Sequence, residues 1–474
     1  MRCLAIAQAL VDEGHTAILA SAAMVPGVAR RFAEEGVEIL TVGRAAGEEG
    51  DLELTHGFAS AGEVDWVLVD GYDFSPRYLE SLAEQWRVMF IDDLGRRGVH
   101  VSSVLNANVY ATERLYPDRG DECRLLLGPR YAPLRREFRA APRRRSTRNA
   151  AQNLLVSLGG SDPDNVTARV VTALAGRGIG KVRVVVGAGH PDPRAAGAGA
   201  GIGFTTLHDV RSLLPHLRWA DIVVGAGGTT ALEYAFAGLP ALLLVLADNQ
   251  AAVAKGLERA GVGIDIGVPD SAMEQRLLTE LDRISADPVT RRHMSESGQE
   301  LIDGQGADRV LATMSPPLEL RPATRDDAEL LLRWANDRGV RKASFDPRPI
   351  DWDEHVAWLE ARLRDPFSRI WVALDGKTPV GVARFALEGD RATISVTVTP
   401  ERRGRRVGTS LIATSVERLL NEERIAGIDA WVRPENTASI HAFQAAGFEL
   451  RSSVPRRGVP PAALLLGLER AKRG

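Results

Sequence analysis

Two short stretches place glycine and hydroxyl residues directly after an apolar strand. Asn153–Asn165 reads NLLVSLGGSDPDN, and Asp221–Glu233 reads DIVVGAGGTTALE. Glycine lets a backbone approach a ligand closely, and the free N–H groups at a helix start attract phosphate. We therefore predict a diphosphate site, with a ribose diol on the carboxylate one turn into the second helix. The candidates are Gly159, Gly160, Ser161, Asp162, Gly227, Gly228, Thr229, Thr230 and Glu233.

The competing interpretation is a pair of tight turns capped by Ser, Thr and Asp. One glycine-rich turn alone would favour that interpretation. Two such turns in one region, each at the carboxyl end of a strand, favour a nucleotide site.

Composition excludes several classes of function. The formal net charge of −3 disfavours a nucleic-acid partner, which needs a clear positive surplus. Cys3 and Cys123 are too few for a disulfide framework or a thiolate metal site, and no metal is expected. No apolar run reaches the roughly 18 residues of a membrane span, so no membrane partner is expected. Since no leader pattern precedes the first helix, the expected location is the cytoplasm.

Helices and strands alternate from the first residue, which predicts parallel sheets with helices on both faces. A helix over the first 13 residues ends at Gly14, and Thr16–Ser21 is predicted to be a buried strand. Such a sheet normally opens with a strand, and here the strand before the first helix is missing. We expect domains at 1–142, 150–312 and 318–470, the last of them α+β.

The N-terminal ~310 residues resemble the UDP-sugar hydrolases of pseudaminic acid biosynthesis, related to spore-coat polysaccharide proteins. The resemblance rests on pieces in the family order: MRCLAIAQAL, VDGYDF, IDDLG, LNANVYA, GPRYAPLRREF, SLGGSDPDN, GAGGTTALEYAFAGLP and ADNQ. It implies the two Rossmann-type domains of a GT-B fold. It also implies metal-free attack of water on a UDP-2,4-diacetamido-2,4,6-trideoxyhexose, with Tyr72 and Asn249 as catalytic residues. Ordinary packing of Tyr72 and a helix cap at Asn249 are the alternatives.

The family's catalytic histidine would lie before Met1 and is absent. Two explanations remain open: a misassigned start codon, which we favour, or a degenerate hydrolase that only binds sugar nucleotide. We favour the first because losing a central strand would leave backbone groups unpaired, while the rest of the region keeps its pattern.

The C-terminal block resembles the GNAT acetyltransferases. Thr393–Leu411 (TISVTVTPERRGRRVGTSL) matches the family's pyrophosphate loop, and NTASIHAFQAAGFE matches its second signature. The resemblance implies acetyl-CoA as co-substrate, with pantetheine along the strand edge and pyrophosphate on the loop amides. The implied contacts are Val396, Val398, Arg403, Gly404, Arg405, Arg406, Val407, Gly408, Thr409 and Asn436.

This block departs from the family at two positions. Arg406 replaces a usual glycine, and Phe443 replaces a tyrosine that protonates the leaving thiolate, so the general acid is unassigned. Trp334, Asn336 and His355 are candidates for the acceptor side, with core packing as the alternative for His355 and for the nearby Trp358.

The sequence thus predicts a bifunctional sugar-nucleotide enzyme that joins a UDP-sugar hydrolase to an amino-sugar N-acetyltransferase. Two alternatives stay open: an acetyltransferase with a non-catalytic UDP-sugar-binding module, and a GT-B glycosyltransferase fused to an acetyltransferase. The sugar, its stereochemistry and the oligomeric state are not encoded in these motifs.

Overall fold

The chain folds as two units, Met1–Val310 and Leu311–Gly474. The computed structural model describes residues 1–141, 147–160, 162–177, 180–190, 203–314, 318–403, 407–452 and 463–470. In these described ranges, no helix combines the length and the apolar character needed to cross a membrane.

The first 141 residues alternate helices and strands as predicted. The helices are α1 (Arg2–Asp12), α2 (Pro26–Glu34), α3 (Glu49–Ala61), α4 (Pro76–Ala83) and α5 (Arg136–Arg139). The strands are β1 (Ile18–Ser21), β2 (Glu38–Thr41), β3 (Trp66–Asp70), β4 (Arg87–Ile91), β5 (Ser103–Asn106) and β6 (Arg124–Leu127). Gly14, with a φ of +80°, follows α1 in the left-handed conformation that glycine tolerates, so its predicted place at the end of the helix is confirmed.

These strands form two separate parallel sheets, β1-β2 and β3-β4-β5-β6. The prediction of a buried strand at Thr16–Ser21 is wrong, because β1 pairs only with β2 and its side chains stay exposed or half-buried. In the described part of the chain, no strand pairs with both β1 and β3.

The second half of the first unit is built around one parallel sheet. Its strands are β7 (Asn153–Ser157), β8 (Lys181–Val186), β9 (Phe204–His208), β10 (Ile222–Ala226), β11 (Ala241–Leu244) and β12 (Gly263–Gly267). The helices are α6 (Val166–Leu174), α7 (Leu214–Trp219), α8 (Thr230–Phe236), α9 (Asp248–Arg259), α10 (Met273–Ala286), α11 (Pro288–Leu301) and α12 (Gly306–Met314). The boundary between the two units, after Val310, falls within α12.

The order across this sheet is β9-β8-β7-β10-β11-β12. β7 and β8 are the first two strands of this sheet in chain order, and they are neighbours. β10 lies on the other side of β7, so the direction of the strand order reverses between β7 and β10, which is the switch point. Apolar residues cover both faces, with Leu155 and Val223 in one core and Val156 and Val224 in the other. Ligands of such doubly wound sheets bind beside the carboxyl ends of the strands at the switch, here between β7 and β10.

The second unit is α+β. Its helices are α13 (Ala328–Ala335), α14 (Arg338–Ala343), α15 (Trp352–Arg364), α16 (Val407–Glu422) and α17 (Thr437–Ala445). Its strands are β13 (Glu319–Pro322), β14 (Ser368–Asp375), β15 (Thr378–Glu388), β16 (Arg391–Val398), β17 (Gly427–Val432), β18 (Glu449–Ser452) and β19 (Leu464–Glu469). They form one sheet in the order β13-β14-β15-β16-β17-β19-β18. β14, β15 and β16 pair antiparallel, and the α+β class predicted for this block is confirmed.

Asp221 fixes the start of the central strand β7. Its buried carboxylate accepts hydrogen bonds from the backbone N–H groups of Gln152 and Asn153, each at 3.0 Å, and an ion pair from Arg148 at 3.0 Å. We expect Asp221→Ala to lower the free energy of unfolding by about 2–3 kcal/mol, because two backbone donors lose their acceptor. Urea unfolding of the full chain measures the change. Asp282→Ala, which breaks an exposed pair with Arg177, is the control and should change stability by less than about 0.5 kcal/mol.

Candidate functional site

A cavity of about 460 Å³ lies in the first unit, beside the ends of β7 and β10. This volume is within the range of small-molecule sites. Five of the residues predicted to bind UDP-sugar line it: Gly159, Gly160, Thr229, Thr230 and Glu233. The opposite wall comes from the N-terminal half of the same unit and includes Arg2, Asp93 and Asn108.

The glycine turn after β7 presents open backbone to this cavity. A Cβ atom added at Gly159 or Gly160 would meet no atom within 4 Å. Gly159 has a φ of +99°, which favours glycine over any residue with a side chain. Behind the turn, a Cβ at Gly187 would lie 2.5 Å from the carbonyl oxygen of Gly160, so close packing holds the turn from below. Ser161 lies outside the described residues.

Asp162 is buried beneath the turn and does not line the cavity. Its carboxylate accepts from the backbone N–H groups of Val166 at 2.9 Å and Thr167 at 2.8 Å. It also accepts from the Thr167 hydroxyl at 2.6 Å. These contacts make Asp162 the acceptor for the first turn of α6, so its contribution to the site is to fix the glycine turn.

The turn after β10 divides its predicted residues into two groups. Gly227 continues the sheet by donating its N–H to the carbonyl of Leu244 at 2.8 Å, and neither Gly227 nor Gly228 lines the cavity. Thr229 and Thr230 follow at the start of α8 and do line it. The hydroxyl groups rather than the glycines of this turn therefore face the cavity.

Glu233 has a partner that the sequence did not predict. Arg135 donates to its carboxylate at 3.1 Å, and the Glu233 side chain is only 12% exposed. Burial raises the pKa of Glu233 even though Arg135 opposes that change. The two side chains are 98 residues apart in the chain, and no local pattern links them.

Tyr72 and Asn249, the predicted catalytic residues, are in direct contact. The side-chain amide of Asn249 donates to the Tyr72 hydroxyl at 2.8 Å, and that hydroxyl donates to Asp93 at 2.9 Å. Asp93 also accepts from Arg2 at 2.7 Å and from the amide of Asn108 at 2.8 Å. We name Arg2, Tyr72, Asp93, Asn108 and Asn249 the Asp93 cluster.

Sequence reasoning missed Arg2, Asp93 and Asn108 as site residues. A usable signal existed, because Asp93 follows β4 and Asn108 follows β5, both at carboxyl ends of parallel strands. IDDLG and LNANVYA were noted only as pieces of a resemblance.

The Asp93 cluster holds four hydrogen-bond donors in place around the Asp93 carboxylate and the Tyr72 hydroxyl. Burial and the neighbouring Asp93 raise the pKa of Tyr72, so its phenol keeps its proton at neutral pH. Burial and Asp70 raise the pKa of Cys3 to about 12, so this thiol stays protonated while it donates to Asp70. No histidine is among the described residues that line the cavity. Within the described ranges, no three His, Cys, Asp or Glu side chains group as metal ligands would.

The second unit has an open strand edge at its centre. β16 and β17 pair in parallel only from Arg391 to Ile394, and beyond Ile394 they no longer pair. The N–H of Thr399 donates toward β15, to the carbonyl of Val380 at 3.0 Å. Because alternate residues of a strand direct their N–H groups to opposite edges, those of Val396 and Val398 point to the open side.

The predicted loop residues lie at the end of this edge. Arg403 ion-pairs with Asp337 at 2.6 Å and donates from Nε to the carbonyl of Val398 at 3.2 Å. Val407 begins α16, a Cβ at Gly408 would lie 3.6 Å from the Val398 side chain, and Thr409 is buried. Gly404, Arg405 and Arg406 lie outside the described residues.

The second signature forms helix α17. Asn436 caps it by accepting from the N–H of Ser439 at 3.2 Å, and Gly447, with a φ of +100°, follows its end. Phe443 is buried edge-on against Phe448, with ring centroids 5.0 Å apart. This position thus carries no proton donor.

Two of the three acceptor-side candidates are packed in the interior, and Asn336 is half-buried. Trp334 and His355 are both 3% exposed, and His355 stacks on Trp358. Asn336 bonds through its side chain to both backbone groups of Ile350. Core packing is therefore the correct interpretation for His355.

Comparison with known proteins matches residues 317–449 to the acetyltransferase (GNAT) domain family. L-amino acid N-acyltransferase MnaT of Escherichia coli is 30% identical over 125 residues, 24% of this chain and 70% of that protein. Spore coat polysaccharide biosynthesis protein SpsG of Bacillus subtilis is 24% identical over 233 residues, 48% of this chain and 69% of that protein. A solved aminoglycoside acetyltransferase, AAC(6')-Ib with coenzyme A, has 21% identity and a TM-score of 0.29, covering 32% of this chain and 95% of that one.

The chain belongs to the GNAT acetyltransferases through its C-terminal unit. A SpsG-related region accounts for 48% of the same chain, so a sugar-related module and an acetyltransferase domain are fused.

The exposed glycine turn gives a direct test of the cavity. We expect Gly160→Ala to leave the melting temperature unchanged, because the new methyl group meets no protein atom within 4 Å. The same methyl group enters the cavity, so UDP affinity should fall by at least about tenfold. Calorimetric titration with UDP measures the affinity. Gly57→Ala, in α3 and equally free of contacts, is the control and should bind UDP like the wild type; equal UDP affinity in all three proteins would contradict the prediction.

Proposed function

We propose that the chain is a bifunctional sugar-nucleotide enzyme of pseudaminic-acid-type nonulosonate biosynthesis. Its first unit hydrolyses UDP from a UDP-2,4-diacetamido-2,4,6-trideoxyhexose, and its second unit transfers acetyl from acetyl-CoA to an amino sugar. The observation that carries the proposal is the cavity between the open glycine turn at Gly159 and Gly160 and the wall that holds Asp93. The relation to a spore coat polysaccharide protein supports a sugar substrate.

We infer that the first unit is a GT-B pair of Rossmann-type domains, spanning 1–142 and 150–312, followed by the acetyltransferase domain at 318–470. The strand order β9-β8-β7-β10-β11-β12 supports the second Rossmann-type domain. In this arrangement the diphosphate of UDP lies on the glycine turn and on Thr229 and Thr230.

In the hydrolytic step, water attacks the anomeric carbon and loses one proton to the solvent. The bond from that carbon to the diphosphate oxygen breaks, and UDP leaves with the bonding electron pair. Tyr72 and Asn249 orient the sugar and the water, since both are held through the Asp93 cluster. Positioning of this kind lowers the barrier without a metal ion.

In the acetyl-transfer step, acetyl-CoA lies along the open edge of β16, with its pantetheine amides on Val396 and Val398. Its pyrophosphate lies at the loop between Arg403 and Thr409 and near Asn436. The amine of the acceptor attacks the thioester carbon and the thiolate of CoA leaves. Because Phe443 carries no hydroxyl group, water carries the proton that the amine loses to the thiolate.

A second candidate function has its own observation. Since no histidine is among the described residues lining the cavity, the first unit is alternatively a UDP-sugar-binding module that delivers substrate to the acetyltransferase.

Two assays on the purified full chain separate these functions. Steady release of UDP from UDP-2,4-diacetamido-2,4,6-trideoxy-β-L-altropyranose is expected of a hydrolase. UDP-sugar binding without UDP release would select the second candidate. Release of free CoA thiol from acetyl-CoA and a UDP-4-amino sugar reports the acetyltransferase, and its absence with every amino sugar tested would refute that half of the proposal.

Tyr72→Phe tests the hydrolase. The change removes the hydroxyl group between Asp93 and Asn249, so we expect kcat for UDP release to fall about 100-fold while UDP affinity stays within about twofold. Tyr131→Phe is the control, because its hydroxyl is not part of the Asp93 cluster. A Tyr72→Phe protein with the wild-type rate would exclude Tyr72 from the reaction.

Gly408→Ala tests the coenzyme site. A methyl group here makes only ordinary contact with Val398, at 3.6 Å, so the fold should be kept. It reduces the space for the pyrophosphate, and we expect the KM for acetyl-CoA to rise by about tenfold. Thiol-release kinetics measure it, with Gly57→Ala as the control. An unchanged KM would argue against pyrophosphate at this position.

A further inference from the structure

Arg384 is a charged residue in the middle of the second unit's sheet. It lies on β15, directly opposite Ser395 of β16. Its Nη2 donates to the hydroxyls of Ser395 at 3.3 Å and Thr397 at 3.2 Å, and its guanidinium lies 5.7 Å from the ring centroid of Trp358. Its Nε is buried and has no hydrogen-bond partner among the described residues.

This arginine lacks the acidic partner that several other arginines of the unit have. Arg321 pairs with Asp327 at 2.6 Å and Arg391 with Asp429 at 2.7 Å. No carboxylate of the described residues lies within salt-bridge distance of Arg384. The remaining segments of this unit, residues 315–317, 404–406, 453–462 and 471–474, contain no Asp or Glu. Arg384 is half-buried, and partial burial of a guanidinium without an acidic partner is costly, which favours an external anion.

A second guanidinium reinforces the positive charge. Arg341 donates to the backbone carbonyl of Ala335 at 2.7 Å and to the Ser344 hydroxyl at 3.1 Å, and no described carboxylate lies within salt-bridge distance of it. The charge of Asp346, which pairs with Arg348, also acts on Arg341. Burial and the nearby Arg341 lower the pKa of Arg384 below its usual range.

The position of Arg384 relates it to the transfer reaction. Side chains alternate along a strand, so Ser395 and Thr397 share one face of β16. Val396 lies between these two residues, and Val398 follows them. The N–H groups of both valines face the open edge, where the proposed function places the pantetheine. An acceptor that approaches the thioester from this face of the sheet passes the guanidinium.

We propose that Arg384, with the hydroxyl groups of Ser395 and Thr397, binds an oxyanion of the acetyl acceptor. The acceptor is then an anionic amine rather than a neutral one, and the oxyanion is either the diphosphate of a sugar nucleotide or a carboxylate. This inference rests on the proposed acetyltransferase function and adds the charge class of its acceptor.

Calorimetry on the full chain saturated with coenzyme A tests the proposal with three probes. These are a UDP-linked 4-amino-4,6-dideoxyhexose, the methyl glycoside of the same amino sugar, which carries no anion, and L-methionine. Arg384→Met should weaken binding of at least one anionic probe about 10- to 100-fold and leave the methyl glycoside within about twofold. Arg384→Lys should recover part of the loss. Since any UDP site in the first unit is the same in all variants, the difference from wild type reports Arg384.

Arg418→Met is the matched control. Arg418 also lies over a tryptophan, Trp371, but it pairs with Glu422 at 2.7 Å, so its loss should not change acceptor affinity. Weakening confined to the UDP-sugar identifies a diphosphate, and weakening confined to L-methionine identifies a carboxylate. The proposal is overturned if neither anionic probe depends on Arg384, or if the methyl glycoside weakens equally. Release of CoA thiol by the wild-type chain from acetyl-CoA and any of the amine probes would keep the proposed function intact in either case.

Discussion

The first unit's site depends on the convergence of donors on one carboxylate, Asp93. Arg2 begins α1, Tyr72 follows β3 and Asn108 follows β5, and all three donate to it. Asn249, at the start of α9, reaches Asp93 through Tyr72, although neither Tyr72 nor Asn249 is among the described residues that line the cavity. Removing Asp93 would take away the acceptor that these three donors share, so their positions relative to one another depend on it.

The arginines of this cavity are already neutralised by acidic residues of the chain. Arg2 pairs with Asp93, Arg31 with Asp209 and Arg135 with Glu233. They are the three arginines among the described lining residues. In the proposed function, a diphosphate in this cavity therefore relies chiefly on backbone N–H groups and threonine hydroxyls, which is consistent with glycine in the turn after β7.

Patterns over a few neighbouring residues predicted the parts of the site that a short segment forms by itself. The open backbone at Gly159 and Gly160 follows from a strand that ends in glycines, and the first helix ends before Gly14 because glycine tolerates the left-handed conformation. The pair of Arg2 and Asp93 joins residues 91 positions apart, so no spacing rule reveals it. The sequence of β1 did not reveal its exposure either, because the burial of a strand depends on which strands pair with it.

Both units have open backbone groups, but they differ in whether the nearby arginines pair with acidic residues. Each unit has open backbone, at the turn of Gly159 and Gly160 in one and along the edge of β16 at Val396 and Val398 in the other. In the first unit every lining arginine has an acid, whereas in the second Arg384 has only hydroxyl partners. Arginines that pair with acidic residues hold the walls of a cavity in place. The charge of an arginine without an acidic partner can pair with a ligand. The anion of the acetyl acceptor therefore contributes an ion pair that the fold itself leaves unmade.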